Sequence, residues 1–259
     1  LSIENKWILG TRPRTLPAAI APVLVGTALE RSDHHAINWL NAILALAVSL
    51  LLQIAVNYAN DFSDGIRGTD EVRVGPIRLV ASGLASAAAV KRVAYLNFLI
   101  AGIVGTYLAS RTSWWLILVG AIAILAAWTY TGGKKPYGYK GFGEISVFIF
   151  FGLVATVGSY FVQSGKITIS SFLVAIPIGA LSCALLAINN LRDLPKDEQV
   201  GKMTLAVRLG DKGARYFFIG ILLLAHLAIL VTFWISHFAL LGLLFIPLTL
   251  QPPEPAERN

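Results

Sequence analysis

Charge is scarce in this sequence. Of its 259 residues only 14% are Asp, Glu, Lys or Arg, against about 25% in a soluble domain, while 56% are hydrophobic and the mean hydropathy is +0.70. That excludes a soluble globular protein and leaves a polytopic membrane protein. Cysteine is nearly absent. Cys183 stands alone inside an apolar run, which excludes an internal disulfide framework and a Cys-based zinc site and makes it a small core residue. The histidines, His34, His35, His226 and His237, share no pattern with the acidic residues and read as interfacial or core. No Walker-type or dinucleotide motif occurs, which argues against a nucleotide enzyme. The net charge of +7 does not point to nucleic acid, because the bases lie in short loops between apolar runs.

What is present is hydrophobic length. Apolar segments fall at about 16–30, 38–60, 88–110, 113–131, 143–163, 170–194, 214–235 and 237–250. The pattern predicts an all-α integral membrane bundle of eight spans in a single domain over 1–259. Pro17 and Pro22 fit a first span better than a signal peptide, with Pro17 in a first helical turn. The last segment is short and runs into Gln251-Pro252-Pro253-Glu254-Pro255, which cannot continue a helix. The chain starts at Leu1 rather than Met, so a native segment is expected upstream. With the N-terminus inside, 17 Lys and Arg fall on the cytoplasmic side and 3 on the other, Arg31, Arg111 and Lys166. The positive-inside rule then fixes the orientation.

Two clusters of acids interrupt this apolar background. Asn57-Tyr-Ala-Asn-Asp-Phe-Ser-Asp64 closes the second segment, and Asn189-Asn-Leu-Arg-Asp-Leu-Pro-Lys-Asp197 closes the sixth. Asn57 to Asp61 and Asn189 to Asp193 share the spacing N-x-x-x-D. In a helix Asn57, Asp61 and Asp64 form one stripe. Carboxylates on one stripe repel each other unless a cation lies between them, and hard oxygen ligands suit Mg²⁺ with a phosphate as co-ligand. Both clusters fall on the cytoplasmic side, so a Mg²⁺-diphosphate site at the mouth of the helix bundle is expected. Its ligand candidates are Asn57, Asp61, Asp64, Asn189, Asp193 and Asp197. Pro195 disfavours helix at Leu194, which would leave Asp197 on a loop. Asp70 is a further ligand or a partner of the loop bases. The bases nearest the acids, Arg67, Arg73, Arg78, Arg192, Lys196 and Lys202, are candidates for neutralising a diphosphate. In the loop at 131–143, glycines and Tyr137 and Tyr139 alternate with Lys134, Lys135 and Lys140, which suits either an anion site or an interfacial turn. A cation-coupled transporter is the competing class, but it would carry its acids near the bilayer midplane.

Taken together, these stretches resemble the UbiA superfamily of intramembrane aromatic prenyltransferases. The resemblance runs from about Arg12 to Gly242 and rests on the two acidic motifs. The flanking stretches Thr11–Gly26, Gly68-Thr-Asp70, Tyr137–Glu144 and Gly201–Gly210 resemble the branch of the family that acts on 1,4-dihydroxy-2-naphthoate in menaquinone biosynthesis. The resemblance implies nine helices around a cavity capped by cytoplasmic loops, of which the ninth is absent from this sequence. It also implies a bacterial inner-membrane enzyme whose site faces the cytoplasm. Asp61, Asp64, Asp193 and Asp197, helped by Asn57 and Asn189, would hold Mg²⁺ and a polyprenyl diphosphate. Tyr58 and Tyr130 would shield an allylic carbocation, and Lys135 or Tyr139 would orient the ring hydroxyl. Attack by the naphthoate ring with loss of CO₂ would give demethylmenaquinone, while the tail lies along helix faces open to the bilayer. Other acceptors in the superfamily, 4-hydroxybenzoate, chlorophyllide, haem or a sugar phosphate, keep the same chemistry.

Overall fold

The computed structural model describes residues 3–33, 36–69 and 77–235, and in these residues the chain is helical with no strand. The helices are α1 (Ile3–Thr11), α2 (Pro17–Ser32), α3 (Trp39–Ile66), α4 (Ala87–Arg111), α5 (Leu116–Thr129), α6 (Gly143–Val147), α7 (Ala155–Ser164), α8 (Ile169–Gln199) and α9 (Leu205–Thr232). A π-helical turn, Phe148–Val154, joins α6 to α7 without a break. Seven of the eight expected apolar segments are therefore helices, and the eighth, 237–250, lies outside the described residues.

Five helical runs are long and apolar enough to cross a membrane: α3, α4, Gly143–Ser164, α8 and α9. The other two described apolar helices are shorter than a full span. α2 has 16 residues and α5 has 14, about 24 and 21 Å at 1.5 Å per residue, against a hydrocarbon core of about 30 Å.

Local chemistry sets the helix ends. Pro17 opens α2, Ser86 caps α4 by accepting from the Ala89 amide, and a Thr168–Ser171 capping box starts α8. Gly210 takes a left-handed φ of 69° and kinks α9 near its start. One core cluster joins α3 to α4 and to the turn at 77–85 through Ala55, Tyr58, Leu79, Val90 and Phe98. Tyr58 donates to the Trp7 carbonyl at 2.5 Å and is 2% exposed, so it belongs to this core, not to the cavity. Elsewhere helices touch through glycine. A Cβ on Gly26 would come within 2.5 Å of the Thr156 carbonyl, which is why α2 can lie directly against α7.

Candidate active site

A cavity of about 700 Å³ runs between α2, α3, α4, α5, the Gly143–Ser164 run and α8. Its wall is mostly apolar, with scattered hydroxyls such as Thr106 and Ser159, and its charged and carboxamide side chains, Arg12, Gln53, Asn57, Asn60 and Asn189, gather at one end beside Tyr130. That is the end carrying both acidic motifs.

The last two turns of α3 present the first motif. The Asn57 amide donates to the Thr11 carbonyl at 2.8 Å and to Thr15 Oγ1 at 3.0 Å, tying the start of the chain to the cavity wall. Asn60 accepts from Thr131 Oγ1 at 2.7 Å. The two acids then diverge. Asp61 accepts the backbone amides of Leu79 at 2.8 Å and Val80 at 3.0 Å. Asp64 accepts from the Tyr139 hydroxyl at 2.5 Å and pairs with Arg78 Nη2 at 3.5 Å. Both carboxylates are 1% exposed.

The second motif lies wholly on α8, because the helix continues through Pro195 to Gln199. The expected loop position of Asp197 is thus corrected. The chain beyond folds back to close the helix, with the Val200 and Lys202 amides donating to the carbonyls of Lys196 and Asp197. Asn189, Asp193 and Asp197 therefore follow one another at four-residue steps along one side of the helix. Arg192 grips Asp193 through Nε at 2.8 Å and Nη2 at 3.0 Å. Asp197 pairs with Lys202 at 3.8 Å.

Tyr139 joins the two motifs. Its hydroxyl is on Asp64, and its ring lies between the Arg67 guanidinium at 5.5 Å and the Lys202 ammonium at 5.0 Å, the same ammonium that pairs with Asp197. Cations over an aromatic face are attracted to its quadrupole. Tyr130 makes the second link, lying within electrostatic reach of both Asp64 and Asp197. The loop is held in this position by Gly138, whose amide donates to the Tyr130 carbonyl and where a Cβ would come within 2.7 Å of that oxygen.

Burial, then the charge of Asp64, then the bond to it, push the Tyr139 phenol above its ordinary 10.0. Its folded value lies above the unfolded one. The bond to Asp64 is therefore fully present below pH 10.0 and is lost as pH rises through the raised value. Tyr139→Phe, which keeps the ring between its two cations, is expected to cost about 1 kcal/mol in denaturant melts at pH 8. The same substitution should remove one tyrosinate absorbance step that in the parent protein comes later than those of the exposed tyrosines.

The remaining candidates separate. The Arg67 guanidinium donates to the carbonyls of Ser63, Thr131 and Gly133, so it pins the loop to α3. Lys134 and Lys135 are exposed on the loop surface. The Lys196 ammonium is buried with no hydrogen-bond partner. Arg73 and Asp70 lie outside the described residues. No sequence pattern singles out Arg12, Gln53, Asn60 or Glu144 as site residues. Arg12 is the one non-glycine residue with positive φ (52°) among those described, and such strain clusters at ligand sites. Glu144, buried at the start of α6, accepts from the Asn190 amide at 2.9 Å.

The residues fit a magnesium ion in a particular way. Among the described residues no three of His, Cys, Asp and Glu converge as a metal cage. Mg²⁺ is ordinarily held by one or two carboxylates with phosphate oxygens and water, not by an all-protein cage. Asp64 on one motif and Asp193 and Asp197 on the other would offer such a partial set of hard oxygens, with asparagine carbonyls beside them.

The sequence matches the UbiA prenyltransferase family over residues 19–252. It is 48% identical over 250 residues to a 1,4-dihydroxy-2-naphthoate octaprenyltransferase of Mycobacterium tuberculosis, covering 96% of this chain and 85% of the relative. A protein of the same description from Escherichia coli is 38% identical over 254 residues, covering 95% and 82%. In structure the chain is similar to a UbiA homolog from Archaeoglobus fulgidus bound to GPP and Mg²⁺. The TM-score is 0.72 at 14% identity, over 98% of this chain and 91% of that one.

Proposed function

The chain belongs to the UbiA prenyltransferase family, and we infer that it transfers a polyprenyl group from its diphosphate to 1,4-dihydroxy-2-naphthoate. The observation that carries this reading is the meeting of two acidic motifs across Tyr139 at the polar end of an apolar cavity. Asp64, Asp193 and Asp197, with Asn57, Asn60 and Asn189, would hold Mg²⁺ against the diphosphate. The ion supplies charge that the departing diphosphate needs as its bond to the allylic carbon breaks.

The chain's own groups do the rest. Arg78, Lys196 and Lys202 neutralise the diphosphate oxygens that remain. The Tyr130 ring, edge-on to Tyr137 at 5.5 Å, gives the electron-poor allylic carbon an aromatic face. The apolar wall excludes water, which would otherwise capture that carbon. Arg12, in the wall, offers a cation to the acceptor's carboxylate. The ring carbon bonds to the allylic carbon, the carboxyl carbon leaves as CO₂, and the prenylated quinol remains, which on oxidation is demethylmenaquinone. The tail lies along the apolar wall. Positive-inside counting supports a site on the cytoplasmic face, and the bacterial relatives support an inner membrane.

Purified protein given Mg²⁺, a polyprenyl diphosphate and the naphthoate should release diphosphate, CO₂ and a lipid quinol. EDTA should abolish all three. Turnover of 4-hydroxybenzoate at a rate equal to the naphthoate's would refute the acceptor assignment, and full activity in EDTA would refute the metal.

A further inference from the structure

The far half of the cavity has no part in the chemistry at the mouth. It runs as an apolar channel to Trp115, Phe161, Ile167 and Phe172, at the opposite ends of their helices. One wall is α5, which packs on α3 and α4. The facing wall is the run from the π turn to α7. The π turn is set back against α8, where a Cβ on Gly152 would lie 2.7 Å from the Gly179 Cα, and its Phe150 and Phe151 face the channel. The two walls are bridged at both ends. Near the mouth the Tyr137 hydroxyl donates to the Ala126 carbonyl at 3.0 Å and meets Ser146 Oγ at 2.8 Å. At the far end the Trp115 and Phe161 rings meet with centroids 5.0 Å apart, tilted by 59°. Between the bridges the walls leave room, since a Cβ on Gly120 or Gly158 would meet no atom within 4 Å. Trp115 lines the channel and is 43% exposed.

We propose that the Trp115–Phe161 pair is the chain-length stop of this channel, arresting the far end of the donor's polyprenyl tail and so setting which lengths are used best. This rests on the prenyl-transfer reading above. The reacting end of the tail is fixed at the mouth by its diphosphate, so each added isoprene unit carries the other end toward the rings. A short tail never reaches them. A long one must part the rings or turn aside between α5 and α7. Misfits of a methylene or so in an apolar pocket change specificity by roughly tenfold or more.

The test compares geranyl and octaprenyl diphosphate as donors for the parent protein, Trp115→Ala, Phe161→Ala and Gly158→Leu, the last placed one turn from Phe161. Geranyl transfer should stay within about twofold in all, which also reports an intact fold. The octaprenyl-to-geranyl ratio of kcat/KM should rise about tenfold in Trp115→Ala and Phe161→Ala, and fall about tenfold in Gly158→Leu. If truncating either ring fails to raise the ratio, or Gly158→Leu fails to lower it, the pair is not the stop. A parent protein inert toward both donors would instead overturn the prenyl-transfer reading beneath.

Discussion

Asp64→Asn lowers kcat for prenyl transfer by about 10²–10³-fold while leaving the melting point nearly unchanged. The side chain is 1% exposed, and on the proposed reading its charge is what holds the metal. Asparagine keeps an oxygen that can accept from the Tyr139 hydroxyl, so the loop at 131–143 stays docked on α3. What disappears is one negative charge opposite Arg78 and beside the second motif. Preorganised electrostatic groups of this kind account for two to three orders of magnitude in rate. Diphosphate release by the purified variant, measured at saturating donor, decides the point. A rate within threefold of the parent would remove Asp64 from the chemistry. A variant that is both inactive and unstable would show that the charge serves the fold.

The reason for singling out Asp64 was only half legible in the sequence. The first motif contains two overlapping N-x-x-x-D frames, Asn57 to Asp61 and Asn60 to Asp64. The frames are three residues apart, less than one helical turn, so periodicity cannot rank them. Both asparagines reach the cavity, but the acids part, one to the amides of the 77–85 turn and one to Tyr139. That choice depends on how a turn 18 residues beyond Asp61 and a loop 75 residues beyond Asp64 fold back, which no local pattern encodes. Arg67 stands next to the acids in sequence, but its hydrogen bonds to the carbonyls of Thr131 and Gly133 depend on the same folding back of a distant loop. α1 (Ile3–Thr11) falls in no apolar segment, whereas the long apolar helices were legible because hydropathy reports them directly. The unbroken α8 was not, because the penalty of Pro195 is offset by tertiary contacts and by the closing turn at Lys202. Tyr139 was picked out as a loop aromatic. Its place between the motifs follows from Gly138, which lets the loop lie flat on Tyr130.

Asp61→Ala, by contrast, acts on the fold first. The carboxylate is the acceptor for two amides, and the Leu79 side of this contact is 0% exposed. Alanine strands both donors away from water. At about 1–3 kcal/mol for each buried group left unsatisfied, the loss is roughly 2–5 kcal/mol, reduced at Val80 by its partial exposure. Asp61→Asn keeps one acceptor oxygen and turns an NH₂ toward the other amide, so it should fall about midway. The turn it holds carries Arg78, so activity should decline in step with the opening of that turn, not as an independent effect. Melting in detergent together with hydrogen exchange at the Leu79 and Val80 amides separates the two cases. Fast exchange at both amides, a lowered melting point and a graded loss of rate from Asn to Ala are expected. If Asp61→Ala melts within about 0.5 kcal/mol of the parent and yet loses three orders of magnitude in rate, its carboxylate works directly on metal or diphosphate. The amide contacts would then be incidental to its role.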